Sequence, residues 1–218
     1  MSLRDLYAGT FSIVAYDAEA EEWGIAVQSK LLAIGALSPW AAAGVGAVVT
    51  QAFINPNYGP QGLKLLAEGN RAEQTVKRLV EADKLSFMRQ IGVVDRQGNS
   101  ATYTGRSCQP WAGGQTGPQY TVQGNLLAGP QVIKAMVHSY ETSPGPLAER
   151  LLSVLEAGQK EGGDRRGQQS AALLVVKKNG GYAGLNDRYI DLRVDDHPAP
   201  IQELKRLYSL HRLSFPPL

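Results

Sequence analysis

The sequence predicts an α+β fold: a four-layer αββα sandwich of two mainly antiparallel sheets, from residue 10 to residue 218. Three observations predict it. Runs of β-branched and apolar residues come in neighbouring groups joined by short turns, as in hairpins rather than βαβ crossovers. Helical periodicities arrive in pairs between those groups. One run, Gly44 to Phe53, is apolar almost throughout, as in a strand covered on both faces.

Taken in order, Thr10 to Tyr16 and Trp23 to Ser29 read as a hairpin around the acidic turn Asp17 to Glu22. Gly44 to Phe53 is the third strand, and Asn55-Pro56-Asn57-Tyr58-Gly59-Pro60 stops it. Gln61 to Glu68 is expected to be helical, and Asn70 to cap a second helix carrying Ala72, Val76, Leu79 and Val80 on one face. Arg89 to Asp95 and Ser100 to Thr104 form a hairpin around Arg96-Gln97-Gly98-Asn99. Gly105 to Gly117 reads as a long loop and Tyr120 to Asn125 as a short strand. Two helices follow, Pro130 to Tyr140 and Pro146 to Gln159, then a Gly-rich loop from Glu161 to Gly167. Strands Gln169 to Lys177 and Tyr189 to Val194 and a helix from Pro198 to His211 complete the order, with Asp196 as the expected cap.

Of the 218 residues, 43% are hydrophobic and 19% charged, the balance of a chain that folds around a core. The net charge of +2 comes from dispersed basic residues, whereas a nucleic-acid surface needs a dense stripe, so no nucleic-acid partner is expected. Cys108 is the one cysteine, which excludes an internal disulfide and a cysteine-based zinc cage. Residues 1–9 lack a signal-peptide pattern and read as an extension, either a propeptide or in part a vector remnant; the expected location is cytoplasmic. The apolar stretch Leu31 to Ile54 is long enough to span a bilayer but is broken by Gly35, Pro39, Gly44 and Gly46, so no membrane partner is expected. Association into a homo-oligomer is compatible with the sequence.

The opening Thr10-Phe11-Ser12-Ile13-Val14-Ala15 and a series of ordered segments carry a resemblance. They include Gly24 to Lys30, Pro39-Trp40, Gly44 to Val48, Thr50-Gln51-Ala52, Asn55-Pro56 and Tyr58-Gly59. Gln123-Gly124-Asn125, Ala128-Gly129, Gly162 to Gly167, Gln169 to Leu173 and Asp195-Asp196-His197-Pro198 follow in order. The chain resembles, from Thr10 to about Leu207, an uncharacterised Ntn-hydrolase-like family, domain of unknown function 1028. The resemblance implies an Ntn-hydrolase-like fold and amide-bond hydrolysis by an N-terminal Thr, with no cofactor and a small-molecule or peptide substrate. A free α-amine, with a pKa of about 7.7–8.0, can take the hydroxyl proton, so one residue supplies nucleophile and base. The resembling sequences usually begin with Thr directly after the initiator Met. Here nine residues precede Thr10, and Gly9-Thr10 resembles a self-processing junction.

Thr10, Lys30, Ser29 and Asn125 are therefore the candidate catalytic residues: attack, charge tuning, strand-end hydroxyl and oxyanion donor. The plain alternatives are a strand-opening Thr, a solvated Lys and a turn amide. Gln51 interrupts an apolar strand together with Thr50, and its amide must be satisfied internally or by substrate. Asn55, Asp164, Arg166, Gln169 and Ser170 complete the substrate-binding candidates, with the Arg166 fork suited to a carboxylate, a substrate's or that of Asp164. Asp195-Asp196-His197 is better read as a helix entry than as a metal site, because adjacent side chains point apart, and no metal is expected. The other reading of the chain is a binding or assembly protein that keeps the fold without the chemistry.

Overall fold

The computed structural model describes residues 9–215; residues 1–8, and with them all but the last residue of the expected extension, lie outside it. Strands β1 (Thr10–Asp17) and β2 (Glu22–Ser29) form the expected hairpin, with Thr10 opposite Ser29. Asp17 Oδ1 closes the turn by accepting from the Glu19 and Ala20 N–H groups at 3.1 and 3.0 Å.

The expected third run forms one strand, and a further short strand precedes it. A short β3 (Pro39–Ala42) pairs with β4 (Gly46–Ala52), and the turn between them uses Gly44 at φ 71° and Gly46 at φ 144°. Pro39 has no N–H to give and heads an edge strand, where none is required. Helices α1 (Tyr58–Ala67) and α2 (Ala72–Ala82) follow. Asn70 does not cap α2; its side-chain amide donates to Leu65 O at 2.8 Å, and Arg71 holds the cap position. The carboxylate of Asp95 accepts from the Ala72 N–H at 3.1 Å and supplies the negative charge that this helix N-terminus favours.

Strands β5 (Arg89–Asp95) and β6 (Ser100–Thr104) form the second expected hairpin. Part of the expected loop is a strand, β7 (Gly113–Gly117), paired with β8 (Tyr120–Asn125); three glycines in five residues hide its period-2 pattern. Helices α3 (Pro130–Thr142) and α4 (Leu147–Lys160), strands β9 (Ser170–Val176) and β10 (Arg188–Val194), and α5 (Pro200–Ser214) complete the fold. Asp196 does not cap α5. The Ala199 N–H donates instead to His197 Nδ1 at 3.0 Å.

One sheet runs β10-β9-β2-β1-β8-β7 and the other β3-β4-β5-β6, with every pairing antiparallel. Alternation along β1 explains the layers. Phe11, Ile13 and Ala15 pack with Met136, Leu151 and Leu155 of α3 and α4. Val14 packs inward with Trp23, Ile25, Val49 and Val94, between the sheets. On the far side, Val48, Ile91 and Val93 meet Tyr58, Leu66, Val76 and Leu79 of α1 and α2. The result is the αββα sandwich. Among the described residues no helix is long and apolar enough to cross a membrane.

Candidate functional site

The site lies where β1 begins. Strand register aligns four residues across the large sheet: Asn125 ending β8, Thr10 opening β1, Ser29 ending β2 and Ser170 opening β9. All four are fully buried. Thr10 Oγ1 donates to Ser29 Oγ at 3.1 Å, and Ser29 Oγ donates to the Gly9 carbonyl at 2.6 Å. That carbonyl belongs to the peptide bond joining Gly9 to Thr10.

A second donor reaches the same oxygen. Arg166 Nη2 lies 3.1 Å from Gly9 O. Its guanidinium is fixed by the wholly buried Asp164 carboxylate, with Nε 3.1 Å from Oδ1 and Nη2 2.7 Å from Oδ2. Asp164 also accepts from the backbone N–H of Arg166 at 2.9 Å and of Lys30 at 3.3 Å. The loop holding this pair is anchored by a bridge between Leu127 and Asp164 and by Arg165 N–H donating to Leu126 O at 3.0 Å.

Beneath Thr10 the space between the sheets is filled by amides. Ser12 Oγ donates to Gln51 Oε1 at 2.6 Å and accepts from Gln123 Nε2 at 2.7 Å. Gln51 Nε2 donates to Gln90 Oε1 at 2.7 Å and to Thr10 O at 3.4 Å. Asn125 Nδ2 donates to the same Gln90 Oε1 at 3.0 Å, and Gln90 Nε2 reaches Thr104 Oγ1 and Gly124 O at 2.8 and 2.9 Å. Such groups are tolerated in a dry interior because nearly all are paired. Asn125 Oδ1 has no hydrogen-bond partner among the described residues.

The candidates thus divide. Thr10, Ser29, Asn125, Asp164, Arg166 and Gln51 converge. Ser170 shares the row, but its hydroxyl donates to Leu31 O and accepts from the Ile34 N–H, which secures the turn after β2. Lys30 contributes its backbone N–H, while its exposed ammonium turns to Gln168 O at 3.1 Å. Gln169 extends the ladder through its N–H to Ser29 O at 3.1 Å and sends its amide to Asp196. Asn55 bonds Asp83 instead, in a cluster where Asp83 also accepts from Tyr58 at 3.0 Å and Arg89 at 2.9 Å.

Ser12 and Gln90 are participants the sequence reading passed over. Their signal was a polar residue on the inward side of an otherwise apolar alternation, at the same end of the strand as Thr10. Thr50 departs from the pairing with Gln51: strand alternation turns the two to opposite faces. Cys108 is no thiolate; burial pushes its pKa up to about 11, and its Sγ lies 3.2 Å from Arg89 O. Among the described residues no group of three His, Cys, Asp or Glu side chains could hold a metal ion.

Two clefts open elsewhere, neither lined by Thr10. One of about 560 Å³ lies between α4 and α5, along Leu152, Tyr208 and Arg212. The other, of about 720 Å³, lies at the β9–β10 hairpin beside Tyr182, Tyr189, His211 and Phe215.

A family model described as a family of unknown function (DUF1028) matches residues 10–204. The crystal structure of protein SPO2555 from Silicibacter pomeroyi, described with the same family, is similar at a TM-score of 0.85 and 29% identity, over 94% of this chain and 89% of that one. The Anbu (ancestral beta-subunit) of Yersinia bercovieri aligns with a TM-score of 0.40 and 12% identity, over 94% of this chain and 95% of its own. No curated protein matches the sequence.

Proposed function

This chain belongs to DUF1028, a family of unknown function, and from that premise we propose that it is an amide hydrolase whose nucleophile is Thr10, activated by cleavage after Gly9. One observation carries the reading. The carbonyl of the bond to be cut accepts from Ser29 Oγ at 2.6 Å and Arg166 Nη2 at 3.1 Å, while the neighbouring Thr10 hydroxyl is bonded to Ser29. Two fixed donors on a carbonyl oxygen are what a developing oxyanion requires.

The first reaction is internal. Thr10 Oγ1 adds to the Gly9 carbonyl carbon and closes a five-membered ring; its proton passes to Ser29 Oγ as the Ser29 proton moves to the Gly9 oxygen. The Gly9–Thr10 C–N bond then breaks, the proton on that oxygen is returned to the Thr10 nitrogen, and Gly9 is left as an ester on Thr10 Oγ1. Water hydrolyses the ester, releasing the Gly9 carboxylate and restoring the Thr10 hydroxyl beside a free amine. Holding both reactants in one chain removes the entropic cost of bringing them together.

In later cycles the amine takes the hydroxyl proton and Thr10 Oγ1 attacks a substrate carbonyl whose oxygen is held where Gly9 O was. Ser29 and Arg166 donate to that oxygen, Asp164 holds Arg166, and the Gln51–Gln90–Asn125 network fixes the strand ends. Asn125 Oδ1, directly across from Thr10, is the acceptor for the new amine.

The test is intact mass of the chain made without added residues, fresh and after incubation. Loss of residues 1–9, abolished in Thr10→Ala, supports the reading; a mass that stays at full length in a folded protein overturns it. The second reading, a binding or assembly protein, is favoured by the complete burial of Thr10 and by the aromatic-lined cleft at the β9–β10 hairpin. An unchanged mass would make it the better account.

A further inference from the structure

The place held by Gly9 has no room for a side chain. A Cβ built on Gly9 would lie 2.6 Å from Asp164 Oδ2, 2.8 Å from Arg166 Nη2 and 2.8 Å from Leu126 Cβ, all inside van der Waals contact. None of the three is free to yield. Asp164 is buried and held by the backbone N–H groups of Lys30 and Arg166 and by both Nε and Nη2 of Arg166. The Arg166 guanidinium is committed to that carboxylate and to Gly9 O. Leu126 is fixed at φ 55° by its N–H to Gln109 O and by its carbonyl, which accepts from Arg165.

Resting on the reading above, in which a substrate's carbonyl oxygen takes the place of Gly9 O, we infer that the site selects amides whose acyl part has an unsubstituted α-carbon. Glycyl residues and straight-chain acyl groups fit. L-aminoacyl groups with a side chain meet Asp164, Arg166 and Leu126 at once, and the carbonyl is pushed off its two donors. The residue ahead of Thr10 and the substrate are therefore chosen by the same wall, and the selectivity acts on the acyl side of the bond.

Two measurements test this. The self-processed wild-type protein is assayed on the 7-amido-4-methylcoumarins of N-acetylglycine and N-acetyl-L-alanine. The glycyl amide is expected to be favoured about 10–200-fold in kcat/KM, the range a single carbon commands in a fixed pocket. Full-length Gly9→Ala is expected to lose residues 1–9 slower by a similar factor, with its Tm recorded to show that it folds. The amide pair is independent of that variant's folding, because the processed enzyme no longer contains residue 9. If the processed enzyme turns over neither amide, the cleavage rate of Gly9→Ala decides. Equal use of both amides, or cleavage of Gly9→Ala at the wild-type rate, overturns the selectivity and leaves the nucleophile standing. A wild-type chain that never loses residues 1–9 overturns the nucleophile, and the selectivity with it.

Discussion

Ser29 stands between the Thr10 hydroxyl and the Gly9 carbonyl and touches both. Its replacement by Ala leaves Arg166 as the remaining donor of the pair described. Cleavage after Gly9 should then slow about 10²–10³-fold, as when one oxyanion donor is lost, which a mass time course would resolve. Asp164→Asn acts differently, because it removes a buried charge from beneath a guanidinium whose side chain is 34% exposed. The solvent available to Arg166 softens the loss, so a destabilisation of about 1–3 kcal/mol is expected by urea unfolding. Ser29 and Thr10 were legible in the sequence because a hairpin with a short turn fixes which residues lie opposite each other. Lys30 was not. One step past the strand end, nothing in the sequence tells whether the chain will turn its ammonium inward or, as here, toward Gln168 O.

At the scale of elements, Asp83 follows α2 and joins it to the start of β5 and to α1 through Arg89 and Tyr58. Burial alone would raise its pKa. Hydrogen bonds from the Leu85 N–H, Arg89 and Tyr58 outweigh this and hold it below the ordinary carboxylate value. Because the folded value is the lower one, the stabilisation is present above the unfolded pKa, about 3.9, and is lost as pH falls through the folded value. Tm should therefore drop more steeply below about pH 4 in the wild type than in Asp83→Asn. Gln90 makes a second join, its carbonyl oxygen accepting from both Gln51 and Asn125. Gln90→Ala removes the acceptor shared by two buried amides and should cost about 2–4 kcal/mol, measurable by denaturant titration. The elements were legible wherever the pattern was dense. The β5–β6 hairpin matches its expected bounds, whereas β7 was hidden by Gly113, Gly114 and Gly117, which leave no side-chain alternation to read. Asn55 was expected among the substrate-binding residues. The chain turns away there, and the Asn55 amide meets Asp83 across α1 and α2, a distance no local pattern encodes.

For the whole molecule, cutting after Gly9 severs the chain at the first residue of a strand that lies inside the six-stranded sheet. The ladder to β2 and β8 begins at Thr10 and survives the cut. The processed form should keep its circular dichroism spectrum, with Tm lowered by a few degrees through loss of the bonds to Gly9 O. Three-dimensional register, not element order, is what the sequence left unread. The order of strands and helices could be argued from periodicity, but the row Asn125–Thr10–Ser29–Ser170 exists only once β8, β1, β2 and β9 are laid side by side. The space between the two sheets has two ends of different character. Near Trp23, Val49 and Val94 it is apolar, and near Thr10 it is laced by Ser12, Gln51, Gln90 and Gln123. Apolar contacts accept exchanges of similar volume, while an amide network fails when one member is lost. Descent within the family should then leave unequal marks: drift among Val, Ile and Leu at one end of the seam, and near-stasis at the other.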